Sequence, residues 1–229
     1  MSMMIAGFMP ESFVDWRGKM VATIFTYGCN FRCPFCHNYT LVTKALEMSI
    51  SPENILDRVM ELKDWIDGVC ITGGEPTIHP DLPEFVRELS KIVPVKLDTN
   101  GSNPKVLRDL MPYVDYVAMD IKAPMERYRE LAGTSVDIDK INESIRLIMR
   151  EARDYEFRTT AVPILSDKDF ESISAWIRGA KRYVIQQYST DGGTLDPKFL
   201  ELRPHDSTFL SSVCNRISVN FRECIVVNI

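Results

Sequence analysis

Residues 21–36 read Val-Ala-Thr-Ile-Phe-Thr-Tyr-Gly-Cys-Asn-Phe-Arg-Cys-Pro-Phe-Cys, a β-branched, strand-like segment that runs into three closely spaced cysteines. The cysteines are Cys29, Cys33 and Cys36, in a Cys-x3-Cys-x2-Cys pattern. Three thiolates leave one corner of a cubane iron–sulfur cluster without a protein ligand, whereas an electron-carrying [4Fe–4S] site normally has four. An open coordination position is where a metal site does chemistry. The segment therefore predicts a catalytic cluster on the loop that follows a first strand.

The composition of the chain is typical of one globular unit. Its 229 residues fit a single α/β domain, predicted over 1–229 with a core at about 20–190 and a C-terminal extension at about 194–229. Hydrophobic residues make up 45% and charged residues 26%, values that argue against a disordered chain. The net charge of −5 argues against nucleic acid as the main partner.

The amino terminus bears on where the protein works. Residues 1–10 carry no basic residue ahead of their short apolar stretch, so they do not have the pattern of a secretory signal. No run approaches the ~18 apolar residues needed to span a bilayer. A cytoplasmic protein without a membrane partner is therefore expected, and in that compartment cysteines are more often ligands or catalysts than disulfides.

Strand-like and helix-like segments alternate along the chain. Strands are predicted at 21–27, 69–72, 93–98, 115–121, 157–164 and 183–188. Helices are predicted from Ser51 onward and at 81–92, 104–111, 137–153 and 168–178. Six strands that alternate with helices imply a parallel sheet with right-handed crossovers. Beyond Gly193 the pattern changes to a helix within 206–215 and one or two strands within 216–227.

Polar residues occur at the strand ends, one strand after another. Besides the cysteine loop, these groups are Gly73-Gly74-Glu75-Pro76, Asp98-Thr99-Asn100-Gly101, Asp120 with Lys122, and Arg158. Parallel sheets carry their active groups on loops at the carboxyl ends of the strands, so these groups are expected to meet at one rim. For the charged residues the alternative is a surface salt bridge, and for the Gly-Gly element it is a plain turn before a helix.

The cysteine triple followed by the Gly-Gly-Glu-Pro element at residues 73–76 resembles the radical S-adenosylmethionine (SAM) superfamily. The resemblance extends to about residue 196 and implies a partial (β/α)6 barrel, a TIM-like α/β fold. It also implies a [4Fe–4S] cluster held by the three cysteines, with SAM chelating the fourth iron. One electron from the reduced cluster would cleave SAM to a 5′-deoxyadenosyl radical, which abstracts a hydrogen atom.

The same resemblance implies roles for residues around SAM. Gly73 and Gly74 would let main-chain groups bind the SAM amino group. Glu75 would complete that contact or hold the turn. Phe35 would lie by the adenine, and its alternative is a generic core aromatic.

A closer resemblance is to the activases of glycyl-radical enzymes. It rests on the Cys-His-Asn ending at residues 36–38 and on the Ser-Phe-Val-Asp-Trp opening at residues 12–16, followed by Gly18 and Lys19. The group most similar is the activating proteins of anaerobic ribonucleoside-triphosphate reductase, and pyruvate formate-lyase activating enzyme is a further relative. Arg17 stands where relatives often have proline.

In that group the residues that match Asp98, Thr99, Asp120 and Lys122 surround the SAM carboxylate, and some members hold a monovalent cation beside them. Arg158 matches an arginine near SAM, although a solvated charge at a strand end is the alternative. A histidine near SAM in pyruvate formate-lyase activase has no counterpart here, and Gln187 is the residue that could substitute for it.

The leading functional hypothesis is an activase that removes the α-hydrogen from a glycine of a partner such as anaerobic ribonucleotide reductase. Its electron donor would be a flavodoxin or a ferredoxin. A second hypothesis is a radical SAM enzyme that acts on a small molecule or a modified nucleoside. An electron carrier or a structural zinc protein would need a fourth ligand, for which His37 or Cys214 is the available residue. A ligand at His37 would close the open site, so a structural role is expected for it.

The remaining cysteines lie outside the triple. Cys70 occupies an apolar strand and is predicted to be a small core residue. Cys214 and Cys224 flank a late strand-like segment, where core packing is predicted, with metal ligation or a redox pair as alternatives.

Overall fold

The computed structural model describes residues 3–228, which contain one eight-stranded sheet. The strands are β1 (Ile5–Ser12), β2 (Val21–Thr26), β3 (Gly68–Gly73), β4 (Val95–Thr99), β5 (Tyr116–Asp120), β6 (Tyr155–Ala161), β7 (Arg182–Gln187) and β8 (Glu223–Val227). They lie side by side in the order in which they occur in the chain.

The same residues form eight α-helices. These are α1 (Thr40–Thr43), α2 (Pro52–Leu62), α3 (Leu82–Leu89), α4 (Pro104–Leu110), α5 (Tyr128–Ala132), α6 (Ile138–Glu151), α7 (Asp167–Trp176) and α8 (Ser207–Ile217). None of the helices in the described part of the chain is both long and apolar enough to cross a membrane.

The sheet is parallel except at its first edge. β1 pairs antiparallel with β2, and each later pair, from β2–β3 to β7–β8, is parallel. The six predicted strands correspond to β2 through β7, which confirms the predicted α/β fold with its partial-barrel sheet. β8 continues that sheet as a further parallel strand, so the C-terminal segment packs as another helix–strand unit.

β1 was not predicted. Its sequence contains Gly7 and Pro10, and both residue types are depleted in central strands. The strand lies at the edge of the sheet, where its register against β2 shifts between Met9 and Ser12. An edge strand with a bulge tolerates a proline because no neighbour requires the missing N–H group.

Local sequence chemistry sets most boundaries. Ser51 caps α2 by accepting a hydrogen bond from the backbone N–H of Asn54, and Ser166 begins α7 in a capping box. The strand predicted at 157–164 is displaced, because β6 starts two residues earlier and ends before Pro163. Proline cannot donate a ladder hydrogen bond, which accounts for the early end.

The two faces of the sheet pack differently. Val69 and Ile71 of β3 belong to the large hydrophobic cluster shared with the helices. Cys70, between them, points to the opposite face. That face carries a smaller buried cluster, which consists of Trp16, Val21, Cys70, Tyr116 and Ala118. The predicted core position of Cys70 is confirmed.

The C-terminal cysteines also pack in the core. Cys214 of α8 belongs to the large cluster and Cys224 of β8 packs against it, as predicted. Their Sγ atoms lie 2.7 Å apart, and both residues are free thiols. The contact joins the last helix to the last strand, and neither residue lines the cavity described next.

Candidate active site

A cavity of about 680 Å³ opens at the carboxyl ends of the parallel strands. All of the predicted site residues line it: Cys29, Cys33, Phe35, Cys36, Gly73, Gly74, Glu75, Asp98, Thr99, Asp120, Lys122 and Arg158. The structure therefore brings these groups together at one rim. Their individual roles are argued below from their contacts.

The cysteine loop follows β2 directly. The N–H of Phe31 donates to Cys29 Sγ at 3.3 Å, and the N–H of Cys36 donates to the Cys33 carbonyl at 3.0 Å. Burial raises the pKa of Cys29 to about 12 and that of Cys33 to about 11. The free thiols are consequently protonated at neutral pH, and metal binding must release those protons. Lys122 acts in the opposite direction on all three thiols, because its positive charge favours thiolates.

The arrangement of Cys29, Cys33 and Cys36 indicates which kind of metal group they could hold. Among residues 3–228, no three His, Cys, Asp or Glu side chains converge closely enough to hold a single ion. A structural zinc site requires four ligands around one ion. The three thiols line a common cavity, and three protein ligands are the number that a cubane cluster with one open corner requires.

The Gly-Gly turn after β3 fits tightly against the cysteine loop. A Cβ atom on Gly74 would lie 1.8 Å from the carbonyl oxygen of Gly28. The N–H groups of Gly74 and Glu75 donate to Thr26 and Gly28 carbonyls at 2.9 and 2.8 Å. The N–H groups of the turn are thus engaged within the protein. A ligand's amino group donates hydrogen bonds, so it would be bound by carbonyl oxygens of the turn. A plain turn would not require this close approach.

Asn38 strengthens the same junction and was not predicted as a site residue. Its Nδ2 donates to the carbonyl oxygen of Gly73 at 3.1 Å. The residue after His37 thus ties the far end of the cysteine loop to the Gly-Gly turn. Only its position in the Cys-His-Asn ending pointed to it.

Glu75 is a buried carboxylate, with 1% of its surface exposed. It accepts hydrogen bonds from the N–H and hydroxyl of Thr77, the hydroxyl of Thr99 and the N–H of Asn100, all within 3.1 Å. Burial raises its pKa despite these four donors. Of the two predicted roles, the contacts favour holding the turn, because both oxygens are engaged within the protein. Thr99 is engaged in the same network.

Five alternating charges cross the rim, and we call them the rim charge chain: Lys96, Asp98, Arg158, Asp120 and Lys122. Lys96 Nζ lies 2.7 Å from Asp98 Oδ1, and Arg158 bridges Asp98 Oδ2 and Asp120 Oδ1 at 3.0 and 2.9 Å. Lys122 Nζ lies 2.8 Å from Asp120 Oδ2. The Arg158 side chain is only 12% exposed. These ion pairs are therefore more buried than a surface salt bridge or a solvated strand-end charge would be, and the roles of the residues toward SAM stay predictions.

Electrostatics keep the rim charge chain ionised. Burial alone would raise the pKa of both aspartates, but Arg158 and the adjacent lysines outweigh it. The pKa of Asp98 is lowered, and that of Asp120 falls to about 2. The pKa of Lys96 is raised, since Asp98 outweighs its burial.

Lys96 was missed by sequence reasoning, although a simple rule would have found it. It lies two residues before Asp98 on β4, and side chains two apart in a strand share a face. A lysine in the interior of a buried strand needs a partner. The register therefore indicates an ion pair with Asp98.

The aromatic and amide predictions have different outcomes. Phe35 is buried in the cavity wall, and its ring centroid lies 6.0 Å from Lys122 Nζ. Both polar ends of Gln187 are engaged, because Nε2 donates to the His205 carbonyl and Oε1 accepts from the N–H of Tyr188. Gln187 is thus poorly suited to replace a ligand-binding histidine. His37 is exposed at the cavity edge, against Tyr188.

Comparisons with known proteins agree with this arrangement. The sequence profile of the Radical SAM superfamily matches residues 23–177. A candidate glycyl-radical enzyme activating enzyme of Methanocaldococcus jannaschii is 33% identical over 199 residues, which cover 82% of this chain and 81% of that protein. A candidate GTP 3′,8-cyclase of Metallosphaera sedula is 28% identical over 188 residues, 78% of this chain and 54% of that protein. The chain thus spans about half the length of the cyclase.

A solved structure extends the comparison of folds. A domain of pyruvate formate-lyase-activating enzyme from Bacteroides vulgatus superposes with a TM-score of 0.56 at 14% identity, and the match covers 69% of this chain and 98% of that domain. At this identity the likeness shows the fold alone.

Proposed function

Because this chain belongs to the radical SAM superfamily, we propose that it is a glycyl-radical enzyme activating enzyme. It would use its [4Fe–4S] cluster and SAM to remove the α-hydrogen from a glycine of a partner such as anaerobic ribonucleotide reductase. The observation that carries the proposal is the 33% identity to the M. jannaschii protein over four-fifths of both chains.

The chain's own residues divide the work at the rim. Cys29, Cys33 and Cys36 would hold the cluster, and the carbonyl oxygens of the Gly-Gly turn would bind the SAM amino group. When bound, the two cofactors supply a 5′-deoxyadenosyl radical that abstracts a hydrogen atom. Lys122 would attract the SAM carboxylate as a point charge. The buried ring of Phe35 offers an apolar surface to the adenine and excludes water there.

The positioning groups act behind these contacts. Glu75 links the loops after β3 and β4, and Asn38 links the cysteine loop to Gly73. Each link fixes one loop relative to another, so the cluster and SAM would be held in a constant relative position. Such fixed placement lowers the entropic part of a reaction barrier.

A small-molecule substrate is the second candidate, since the M. sedula relative is named for GTP chemistry. Phosphates are bound in proteins by arginine and lysine clusters. The lysines and arginines among the described lining residues of this cavity are Lys122 and Arg158, and the proposal already assigns both to the SAM carboxylate. A triphosphate would therefore have to share these two cations with SAM, which favours a peptide glycine over a nucleotide.

The proposal includes a reduced flavodoxin or ferredoxin as electron donor and a cytoplasmic location.

The test is anaerobic incubation of the reconstituted protein with SAM, a reductant and a purified anaerobic ribonucleotide reductase. Electron paramagnetic resonance is expected to detect a glycyl doublet on the partner. The matched control is the Cys33→Ala variant, which should give no doublet. Absence of a doublet with anaerobic ribonucleotide reductase and other glycyl-radical enzymes, while SAM is still cleaved on reduction, would contradict the proposal and favour the small-molecule candidate.

A further inference from the structure

Asp98 and Asp120 are the residues at which the resemblance implies a monovalent cation, but their oxygens are already engaged. Each of the four carboxylate oxygens has a lysine or arginine nitrogen within 3.0 Å. The space between the two carboxylates holds the Arg158 guanidinium, which contacts both. A metal ion at that point would have to displace a buried side chain and break two ion pairs.

We infer that Arg158, supported by Lys96, takes the place of a monovalent cation, so that this protein binds the SAM carboxylate without a metal ion. The fit of the residues to the implied ion is therefore poor, whereas their fit to a carboxylate is good. Lys96 and Arg158 are positioning residues in this account, since they act through the aspartates.

Charge balance supports the inference. The three cations of the rim charge chain already neutralise its two carboxylates without a metal ion. The one remaining positive charge of the chain can pair with one ligand carboxylate.

Lys96 is anchored in a way that fixes it below Asp98. Its Nζ donates to the main-chain carbonyl of Asp15 at 2.5 Å and lies 3.8 Å from Cys70 Sγ. The side chain is 4% exposed. Its Nζ also lies 2.7 Å from Asp98 Oδ1, so the charge of the lysine is held against that carboxylate.

The test is the affinity of the cluster-loaded protein for SAM, measured anaerobically by equilibrium dialysis. The buffers contain potassium, sodium or tetramethylammonium chloride at equal ionic strength, because tetramethylammonium is too large to enter a metal site. The Kd is expected to agree within about twofold among the three salts. A Kd about tenfold or more higher in tetramethylammonium would overturn the inference.

Variants test the inference by removing the Arg158 charge, which should make SAM binding depend on a metal ion. Arg158→Gln removes the internal cation and should weaken SAM binding in tetramethylammonium, with recovery as potassium or sodium is added. Arg158→Lys should restore binding in part. The matched control is Arg153→Gln, because Arg153 is an exposed arginine that pairs with Asp115 outside the cavity. In a second pair of variants, Lys96→Met is compared with Lys91→Met as its control. Lys91 is an exposed lysine just beyond the end of α3.

A direct readout of ion binding does not depend on these variants folding. Thallium-205 resonance of the wild-type protein with SAM is expected to show no bound thallium, and a stoichiometric bound signal would overturn the inference. SAM binding needs no partner protein. A failed glycyl-radical assay would therefore leave this result intact, and a cation requirement would leave the proposed activity intact.

Discussion

The two ends of the barrel use the same types of side chain for different purposes. At the amino ends of the strands lies what we call the basal network, made up of Arg17, Tyr116, Glu156, Arg182 and Glu223. Arg182 contacts Glu223 and the Tyr116 hydroxyl at 2.6 and 2.7 Å, and that hydroxyl donates to Glu156. Arg17 joins the network through Glu223. Two arginines and two glutamates leave no excess charge.

The rim charge chain differs from the basal network in two respects. It carries one positive charge in excess, and it opens onto the cavity that contains the three thiols. The basal end is instead covered by Trp16, whose ring centroid lies 5.7 Å from that of Tyr116. Ion pairs alone therefore do not mark a functional site in this molecule.

The largest expected effect comes from a cysteine at the rim compared with one away from it. Cys33→Ala should abolish both cluster iron and reductive SAM cleavage, because two thiolates cannot replace three as cluster ligands. Cys214→Ala, in α8 and outside the cavity, should retain cleavage with only a modest loss of stability. Iron content and 5′-deoxyadenosine release after dithionite reduction are the measurements. Full turnover in Cys33→Ala would refute the cluster assignment.

A second comparison uses two glycines. Gly74→Ala would place its Cβ atom 1.8 Å from a backbone oxygen, so the turn and the cysteine loop must separate. SAM affinity is expected to fall about tenfold or more. Gly7→Ala in β1 is the control, because its Cβ would meet Phe25 at an ordinary 3.6 Å. Equal SAM affinity in the two variants would show that the close approach is not needed for binding.

A third comparison separates ligand binding from cluster binding. Lys122→Met should weaken SAM binding while iron content stays near that of the wild type, since the lysine would contact the SAM carboxylate and no iron. Asp120→Asn should do the same, because it holds Lys122 and Arg158. Glu223→Gln, in the basal network, should change neither quantity. Loss of iron in parallel with SAM affinity would give Lys122 and Asp120 a structural role instead.

The smallest expected effect is on acid stability. The pKa of Asp120 is about 2 in the folded protein, below its ordinary value, so ionised Asp120 stabilises the fold. This contribution, about 2 kcal/mol, is complete above about pH 4 and is lost as the pH falls toward 2. Urea unfolding of the cluster-free protein should therefore depend less on pH in this range for Asp120→Asn than for the wild-type protein. Identical pH profiles would contradict the pKa assignment.

Much of this could be predicted from the sequence because parallel strands bring their carboxyl ends together. The cysteine loop, the Gly-Gly turn and the residues after β4 and β5 all follow strands that the hydrophobic pattern identifies. Their meeting at one rim follows from topology alone.

The remaining features depend on contacts that no local pattern specifies. Glu75 accepts a hydrogen bond from the loop after β4, and Gln187 donates one to the His205 carbonyl. β1 forms at the edge of the sheet, by pairing with β2, despite Pro10. Lys96 is intermediate, since the strand register places it beside Asp98. The inferred role of Arg158 in place of a metal ion could not be predicted from the sequence. It depends on how four carboxylate oxygens and three cationic side chains are placed relative to one another in the folded protein.

The most direct test of the account is to follow the hydrogen atom itself. The protein, loaded with its cluster and SAM, is reduced anaerobically in the presence of anaerobic ribonucleotide reductase produced with [2,2-²H₂]glycine. If the rim directs its radical at a partner's glycine, mass spectrometry will find one deuterium in the 5′-deoxyadenosine that is released. Unlabelled 5′-deoxyadenosine, formed at the same rate with and without the partner, would contradict the account.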